Sequence, residues 1–502
     1  MKQNQISVLS KEEIELIHNN TLELLETIGV RVESTEAKEL LKENGAILDE
    51  KTDYVKFPEN LVKEQLVKVP DSFILWGSDG SYNFEVNTNS VNYATVGTPV
   101  KIYDPDHKKG IRKTVLSDNI SQIRIVDRLK NIRCSHVDVW PNDVPYLETH
   151  YHAIRAWAEH SFKPYGLGCY GRIASQDMMD LTSIIVGGKE ELIEKPRLVG
   201  FFNPTSPLLL TKILLNGLFI FAKYKQPTII APAASAGSTA PVTLAGLLVQ
   251  SNMEVLSSIV LTQLISPGAP VFYSTMNCPM DPPTGNVAWG SIETGLITAG
   301  TAQLARYYNI PSRGPGAVTE SKCFDMQNGY ERFMTLSFAA NAGINYITCA
   351  GTYESSLAEA LELLVIDDEL IDMINRGREG INVNDDTLAI EQIKRVALEG
   401  KNYLMLKHTA KNTRKEIFVP KLADRDRRGI WKRNGSKDII QRAREKVNHI
   451  LGSQKGPGIP KEIDIQLKER FKEISSRTMD YFRKAEELDK ETDVKGIGGL
   501  EG

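Results

Sequence analysis

The sequence predicts an α/β fold: a (β/α)8 TIM barrel with an N-terminal α+β extension and a C-terminal helical extension. Short apolar, β-favouring runs alternate with amphipathic helical stretches in eight successive pairs between Val91 and Arg378. Such alternation implies parallel strands, because each connection must cross back over the sheet. Eight units close into a barrel, for which a core of ~250 residues is usual.

Ahead of the barrel, Ser10 and Glu13 make a capping box, and Ile14, Ile17, Leu24, Leu25 and Ile28 form the apolar stripe of a first helix. A second helix near 35–43 stops at Asn44 and Gly45. Strand-like segments 73–76 and 82–86 flank the GSDG turn at 77–80 as a hairpin. The barrel strands are expected at 91–96, 132–139, 164–170, 197–203, 228–233, 271–276, 310–315 and 344–350. The helices that follow them are expected at 117–130, 146–160, 175–188, 208–225, 242–266, 290–308, 325–343 and 355–378. Gly452 to Pro460 (GSQKGPGIP) reads as a linker, Pro460 starts a last amphipathic helix to about Leu488, and a Gly-rich tail follows. The expected domains are an extension at 1–88, the catalytic barrel at 89–380, a mixed extension packing on the barrel at 381–452, and linker, helix and tail at 453–502.

Composition removes several classes of function. With 60 Lys+Arg against 64 Asp+Glu, there is no electrostatic reason to expect nucleic acid or an anionic membrane as partner. The first residues lack a signal-peptide core, and no apolar run reaches the ~18–20 residues that span a bilayer. Five scattered cysteines without CxxC spacing read as reduced residues of a cytoplasmic protein.

Chemistry in such barrels sits just after the strands. The residues there include Thr95, Gly97, Trp140, Tyr170, Arg172, Asn203, Tyr273, Asn277, Trp289, Glu293, Arg313, Tyr330, Glu331 and Tyr353, a set rich in aromatics and amides. Histidine is scarce: His136 lies in strand 2, while His150 and His152 are two apart on a helix and cannot chelate one metal together. There is no HExxH, P-loop or GxGxxG. The small-residue loop at 234–238 has two readings, a phosphate cradle or a tight lead into the next helix. Lys322 is a Schiff-base candidate placed several residues beyond strand 7. Aromatics without a catalytic histidine suit a quaternary ammonium, which donates no hydrogen bond and is held against π-faces. Trp140, Tyr170, Tyr273, Trp289, Tyr330 and Tyr353 are the candidates for that cage.

PSRGPG at 311–316, TESK at 319–322 and DMQNGYE at 325–331 together resemble the trimethylamine methyltransferase family. GIRKT at 110–114 leading to Asp118, NPTS at 203–206, and His408-Thr409 to Arg414 resemble it too, so the likeness runs from about 7 to 485. The resemblance implies a (β/α)8 enzyme that moves a methyl group from an amine to the Co(I) of a corrinoid held on a separate small protein. Pyrrolysine, carried by the archaeal trimethylamine enzymes, is absent here, and the 323–327 stretch is the suspected place of its substitute. That likeness points to the non-pyrrolysine branch, whose donors are quaternary amines such as glycine betaine, proline betaine, carnitine or γ-butyrobetaine. Self-association into a homo-oligomer is also implied.

On this basis Glu331 and Gln327 are the catalytic candidates. Trp140, Tyr170, Asn203, Tyr273, Asn277, Trp289, Arg313, Tyr330 and Tyr353 are the substrate-binding candidates. Arg313, with Arg172 second, is the expected grip on a substrate carboxylate. No metal site and no stably bound cofactor are expected. The nearest approach to the D-x-H-x-x-G corrinoid signature, at 104–110, has the wrong spacing, so the corrinoid must come on a partner. Alternatives are a tertiary-amine methyltransferase, a non-catalytic betaine-binding protein, and a lyase or aldolase using Lys322 or a metal.

Overall fold

The computed structural model describes residues 6–95, 99–137, 139–453 and 456–488. Eight parallel strands close into a barrel in chain order. They are β1 (Asn92–Ala94), β2 (Ile132–His136), β3 (Tyr165–Gly168), β4 (Leu198–Phe202), β5 (Thr228–Ile230), β6 (Val271–Ser274), β7 (Ser312–Pro315) and β8 (Tyr346–Thr348). Closure is made by β8 on β1, with Tyr346 opposite Asn92. A helix follows each strand: α1 (Leu116–Arg128), α2 (Thr149–His160), α3 (Arg172–Val186, with a further short helix Lys189–Glu194 behind it), α4 (Lys212–Lys223), α5 (Leu244–Ile265), α6 (Ile292–Tyr307), α7 (Met326–Ala342) and α8 (Leu361–Glu379). Each expected run thus holds a strand and a helix follows it. Val96 and Gly97, expected at the first strand end, and the tail from 489 lie outside the described residues.

Side chains of alternate strand residues meet in the lumen. Ala94, Cys134, Val199, Ile229, Phe272 and Tyr346 form one apolar cluster with Leu75, Phe84 and Val86 of the hairpin Ser72–Trp76 and Asn83–Asn87. The Trp76 amide donates to the Pro196 carbonyl, just before β4, so the hairpin closes the end where strands begin. The opposite end, where strands finish, is left as the mouth.

α5 departs from the sequence-based expectation. Its 22 residues are long and apolar enough to cross a bilayer, but 72% of its most apolar window is buried. It is a core helix wedged between the barrel and the N-terminal helix Lys11–Thr27, whose Thr21 accepts a hydrogen bond from Asn252. Buried Ser251, Asn252, Glu254 and Ser257 mark its polar interior contacts.

The N-terminal extension adds strands that the sequence did not announce. Val30–Val32 pairs antiparallel with Tyr54–Lys56 and parallel with Leu209–Leu210 from the loop after β4. Beyond α8 the described chain is helical, ending in Ile439–Ser453, Lys461–Ser475 and Met479–Ala485. All five cysteines are free thiols, four of them buried.

Candidate active site

A charged side chain crosses the lumen. Arg313 on β7 lies with its guanidinium 5.0 Å from the ring centroid of Phe201 on β4, a contact that must cross the barrel because three strand positions separate them. Arg313 Nη1 donates to the Thr275 carbonyl at 2.9 Å, and Nη2 donates to the Thr348 hydroxyl. Desolvated cation–π contacts of this kind contribute about 2 kcal/mol. His136 reaches in from β2 and shares a 2.9 Å hydrogen bond with Tyr346 Oη from β8. Its ring occupies the space that a side chain on Gly166 would fill, since a Cβ there would stand 1.8 Å from Nδ1. Burial, and then the Arg313 charge, push the imidazole down to about 3, so it is neutral at physiological pH.

Above β6, β7 and β8 the rim is organised by two carboxylates. Glu320, in the loop after β7, accepts from the backbone amides of Trp289 at 2.6 Å and Gly290 at 3.2 Å, and from the Ser355 hydroxyl. It therefore ties together the loops that follow β6, β7 and β8. Trp289 is half-buried and packs on the lumen cluster. Behind this loop, Glu331 on α7 accepts from Thr319 Oγ1 at 2.7 Å, the Glu320 amide at 2.8 Å and Gln327 Nε2 at 2.9 Å. Gly290 is required at this crossing: a Cβ would stand 2.5 Å from Glu331 Oε2.

A second aromatic wall rises above β2 and β3. The rings of Trp140 and Tyr170 meet edge to face at 5.8 Å, and Trp140 lies 6.1 Å from Tyr146. Together with Phe482 and Tyr481 they line a cleft that extends between α2 and α3. The C-terminal helix is latched there by Glu486, a buried carboxylate that accepts from the Arg172 and Ile173 amides at 2.8 Å each and from Asn216. This carboxylate caps the first turn of α3, where unpaired amides and the helix dipole favour negative charge.

Among the described residues, no group of three His, Cys, Asp or Glu side chains is placed to hold a metal ion. The site thus combines a guanidinium and a neutral imidazole in the lumen with aromatic faces and a carboxylate at the rim. It can complement a zwitterion whose cationic end faces outward.

A family model described as trimethylamine methyltransferase (MTTB) matches residues 1–478. The chain belongs to the trimethylamine methyltransferase family. It is 35% identical over 482 residues to trimethylamine methyltransferase MttB2 of Methanosarcina mazei, covering 91% of this chain and 93% of that one. It is 32% identical over 475 residues to a glycine betaine methyltransferase of Desulfitobacterium hafniense, with 93% and 98% covered. Trimethylamine methyltransferase MttB of the same species is 34% identical over 459 residues, covering 91% and 92%. Among solved structures, the Methanosarcina barkeri monomethylamine methyltransferase (MtmB) covers 89% of this chain and 96% of its own at 13% identity, with a TM-score of 0.45.

Within this methyltransferase several sequence candidates are placed away from the mouth. Tyr273 points outward from β6: it is fully buried, its hydroxyl donates to Asn252 on α5 at 2.8 Å, and its ring lies 5.7 Å from Tyr308. It is a core residue, not a cage wall. Asn277 accepts from the Ala234 amide at 2.7 Å and donates to Ser251, fastening the loop after β5. That loop folds on itself, with the amides of Ser238, Thr239 and Ala240 all bonded to the Ser235 carbonyl, so they are not free to cradle phosphate. Tyr330 faces solvent on α7 at 62% exposure. Tyr353 is buried against Phe324 at 5.5 Å, in a cluster with Tyr103. Arg172 pairs with Glu36 of the N-terminal extension rather than facing the lumen. Asn203 donates to the Ala231 carbonyl at 2.7 Å, linking the ends of β4 and β5. Lys322 is exposed, without the desolvating pocket that a Schiff-base lysine requires.

The structure places Arg313 in the lumen and Trp289 on the lumen cluster at the rim, while Trp140 and Tyr170 line the separate cleft between α2 and α3. Glu331 and Gln327 brace the loop from behind, with the Glu331 oxygens occupied by three donors. Sequence reasoning passed over Glu320 and Phe201. Glu320 was visible as the one acid of the TESK segment, but its bond to the Trp289 amide depends on a loop crossing 31 residues away in the chain.

Proposed function

We propose that this methyltransferase takes an N-methyl group from a quaternary amine of the betaine class and gives it to the Co(I) of a corrinoid on a separate protein. Glycine betaine, proline betaine, carnitine and γ-butyrobetaine are the donors considered. The observation that carries this reading is His136, the histidine of the lumen, held neutral by burial and by Arg313. An imidazole in that state cannot protonate a departing amine. A quaternary nitrogen has no such need: when its C–N bond breaks, the bonding pair stays on nitrogen and leaves a neutral tertiary amine. The methyl carbon then bonds to the electron pair of the acceptor.

This chain's part is positioning, which holds reactants in line and can remove much of the barrier. Trp289, Trp140 and Tyr170 offer π-faces to the ammonium, and Glu320 adds a negative charge beside Trp289. Arg313 lies deeper, on the side from which a substrate carboxylate would be attracted. Such a substrate stands with its ammonium toward the mouth, where a docking partner reaches its methyl group. The segment at 104–110 is the turn of the hairpin Lys101–Tyr103 and Ile111–Lys113, with the His107 amide bonded to the Asp104 carbonyl. On this reading the acceptor's cobalt belongs to the partner, and the complex is transient. The compartment consistent with five free thiols is the cytoplasm.

The test is to mix the purified chain with a Co(I) corrinoid protein and a panel of betaines plus trimethylamine, following methylcobalt absorbance. Methylation from one quaternary amine is expected. Binding of a betaine without methylation would make the chain a binder, and methylation from trimethylamine alone would move it to the tertiary-amine class.

A further inference from the structure

The glycines of β3 open one side of the lumen. In the parallel register Gly166 stands beside Val199 and Gly168 beside Phe201, and residues paired in this way take the same face of a sheet. Val199 belongs to the lumen cluster, so both glycines face inward and bring no side chain with them. The His136 ring fills the place of the first. The Tyr170 ring, which also lines the cleft between α2 and α3, folds over the second, where a Cβ would stand 2.2 Å from it. Phe201 is the inward side chain beside that gap, and its ring extends toward Arg313 on the far wall.

Phe201 also differs from its neighbours in accessibility. Leu198, Val199, Gly200 and Phe202 of β4 are buried, whereas Phe201 is partly exposed. Beneath it Val199, Ile229 and Phe272 have no exposed surface, and across from it Arg313 has none either. The open side of the ring must therefore face the mouth, where Asn203 and Ala233 are accessible as well. Among the described lumen side chains, Phe201 is the deepest that offers a ligand substantial surface. The Arg313 guanidinium lies behind it, 5.0 Å from the ring centroid and held by the Thr275 carbonyl and the Thr348 hydroxyl.

We propose that Phe201 is the floor of the donor pocket and selects the donor by its length. This inference rests on the reading of the chain as a betaine methyltransferase. A betaine has two ends to place. Its N-methyl group must stand at the mouth, where the partner's cobalt reaches it, and its carboxylate end points toward Arg313 and meets the Phe201 ring first. Arg313 supplies the attraction, and the ring sets the distance at which it acts. Because Phe201 sits on a strand, the span from floor to mouth is fixed. A donor too long for it is pushed out of line, and one too short leaves a void beneath it. One methylene too many or too few in an apolar pocket changes selectivity by about 10–200-fold. A smaller side chain at 201 lowers the floor and uncovers the guanidinium, so a longer betaine gains on both counts.

Calorimetry of the full chain and its Phe201→Leu variant tests this, with glycine betaine as the short probe and γ-butyrobetaine as the long one. In the variant the ratio of the two affinities should move about tenfold toward γ-butyrobetaine. A ring that only fills the barrel would, on replacement, weaken both probes in step and leave the ratio where it was. Should the Leu variant not fold, Phe201→Met, closer in volume and flexible enough to fold aside, gives the same ratio. An unchanged ratio, or one that moves toward glycine betaine, would overturn the proposal. If the unaltered chain binds neither probe, the betaine reading falls and this inference with it. If the ratio shifts as expected but a Co(I) corrinoid protein receives no methyl group, the reaction falls and selection by Phe201 stands.

Discussion

Glu320 is the charge at the rim, and its surroundings say how it acts. Its oxygens are already engaged by two amides and a hydroxyl, so on the proposed reading it acts on a substrate cation through its field and not by proton transfer. Glu320→Gln keeps an acceptor for the Trp289 amide but removes the charge. Affinity for a quaternary amine should fall about tenfold, or ~1.4 kcal/mol, by calorimetry; unchanged affinity would remove Glu320 from the site. Glu331 acts at one remove. Glu331→Ala leaves the Thr319 hydroxyl and the Glu320 amide without their acceptor, and stability in urea should drop by about 1–3 kcal/mol.

His136 ties the lumen to pH. Its folded pKa of about 3 lies below the ordinary value of 6.5. Below pH 6.5 the unfolded chain takes up a proton that the folded chain refuses, so stability falls as pH drops and goes on falling to about 3. At pH 5 the contribution amounts to about 2 kcal/mol. His136→Gln should flatten that slope in urea titrations at pH 5 and pH 7, and an unaltered slope would mean the imidazole is not held neutral. The turnover rate should correspondingly show no ionisation between pH 6 and 8.

At the scale of elements, barrel strands were legible because each apolar run is bounded by turn residues and followed by a helical period. Which face a strand residue takes was less so. In β6 the run Val271, Phe272, Tyr273, Ser274 is buried throughout, so its pattern does not say that Phe272 faces the lumen and Tyr273 the helices. A single step along a strand reverses the face, and Tyr273 was lost to that ambiguity. The two-residue strand Leu209–Leu210 was illegible for another reason: its partner Val30–Val32 lies nearly the length of a domain away in the chain. The C-terminal helix offers a test at this scale. Glu486→Gln weakens the cap on α3, with an expected loss of about 1–2 kcal/mol. Amide exchange should quicken at 479–486, because this latch holds Phe482 in the aromatic cleft. Unchanged exchange there would mean that the helix is held by its apolar contacts alone.

For the whole molecule, the barrel, the hairpin that closes its lower end and the aromatics beyond the strand ends are the frame on which the proposed reading sets a zwitterion with its methyl groups outward. That expectation followed from scarce histidine and abundant aromatics; which of those aromatics pack in the core, as Tyr273 does, was read only from the structure. The exposed apolar side chains between Ile381 and Val419 were illegible, because their exposure depends on the folded arrangement. The reaction itself is most directly tested with a betaine labelled with ¹³C in its N-methyl groups, mixed with the chain and a Co(I) corrinoid protein and followed by NMR. The account requires one labelled methyl on cobalt for each tertiary amine formed. A betaine that binds yet leaves every label on nitrogen would contradict it.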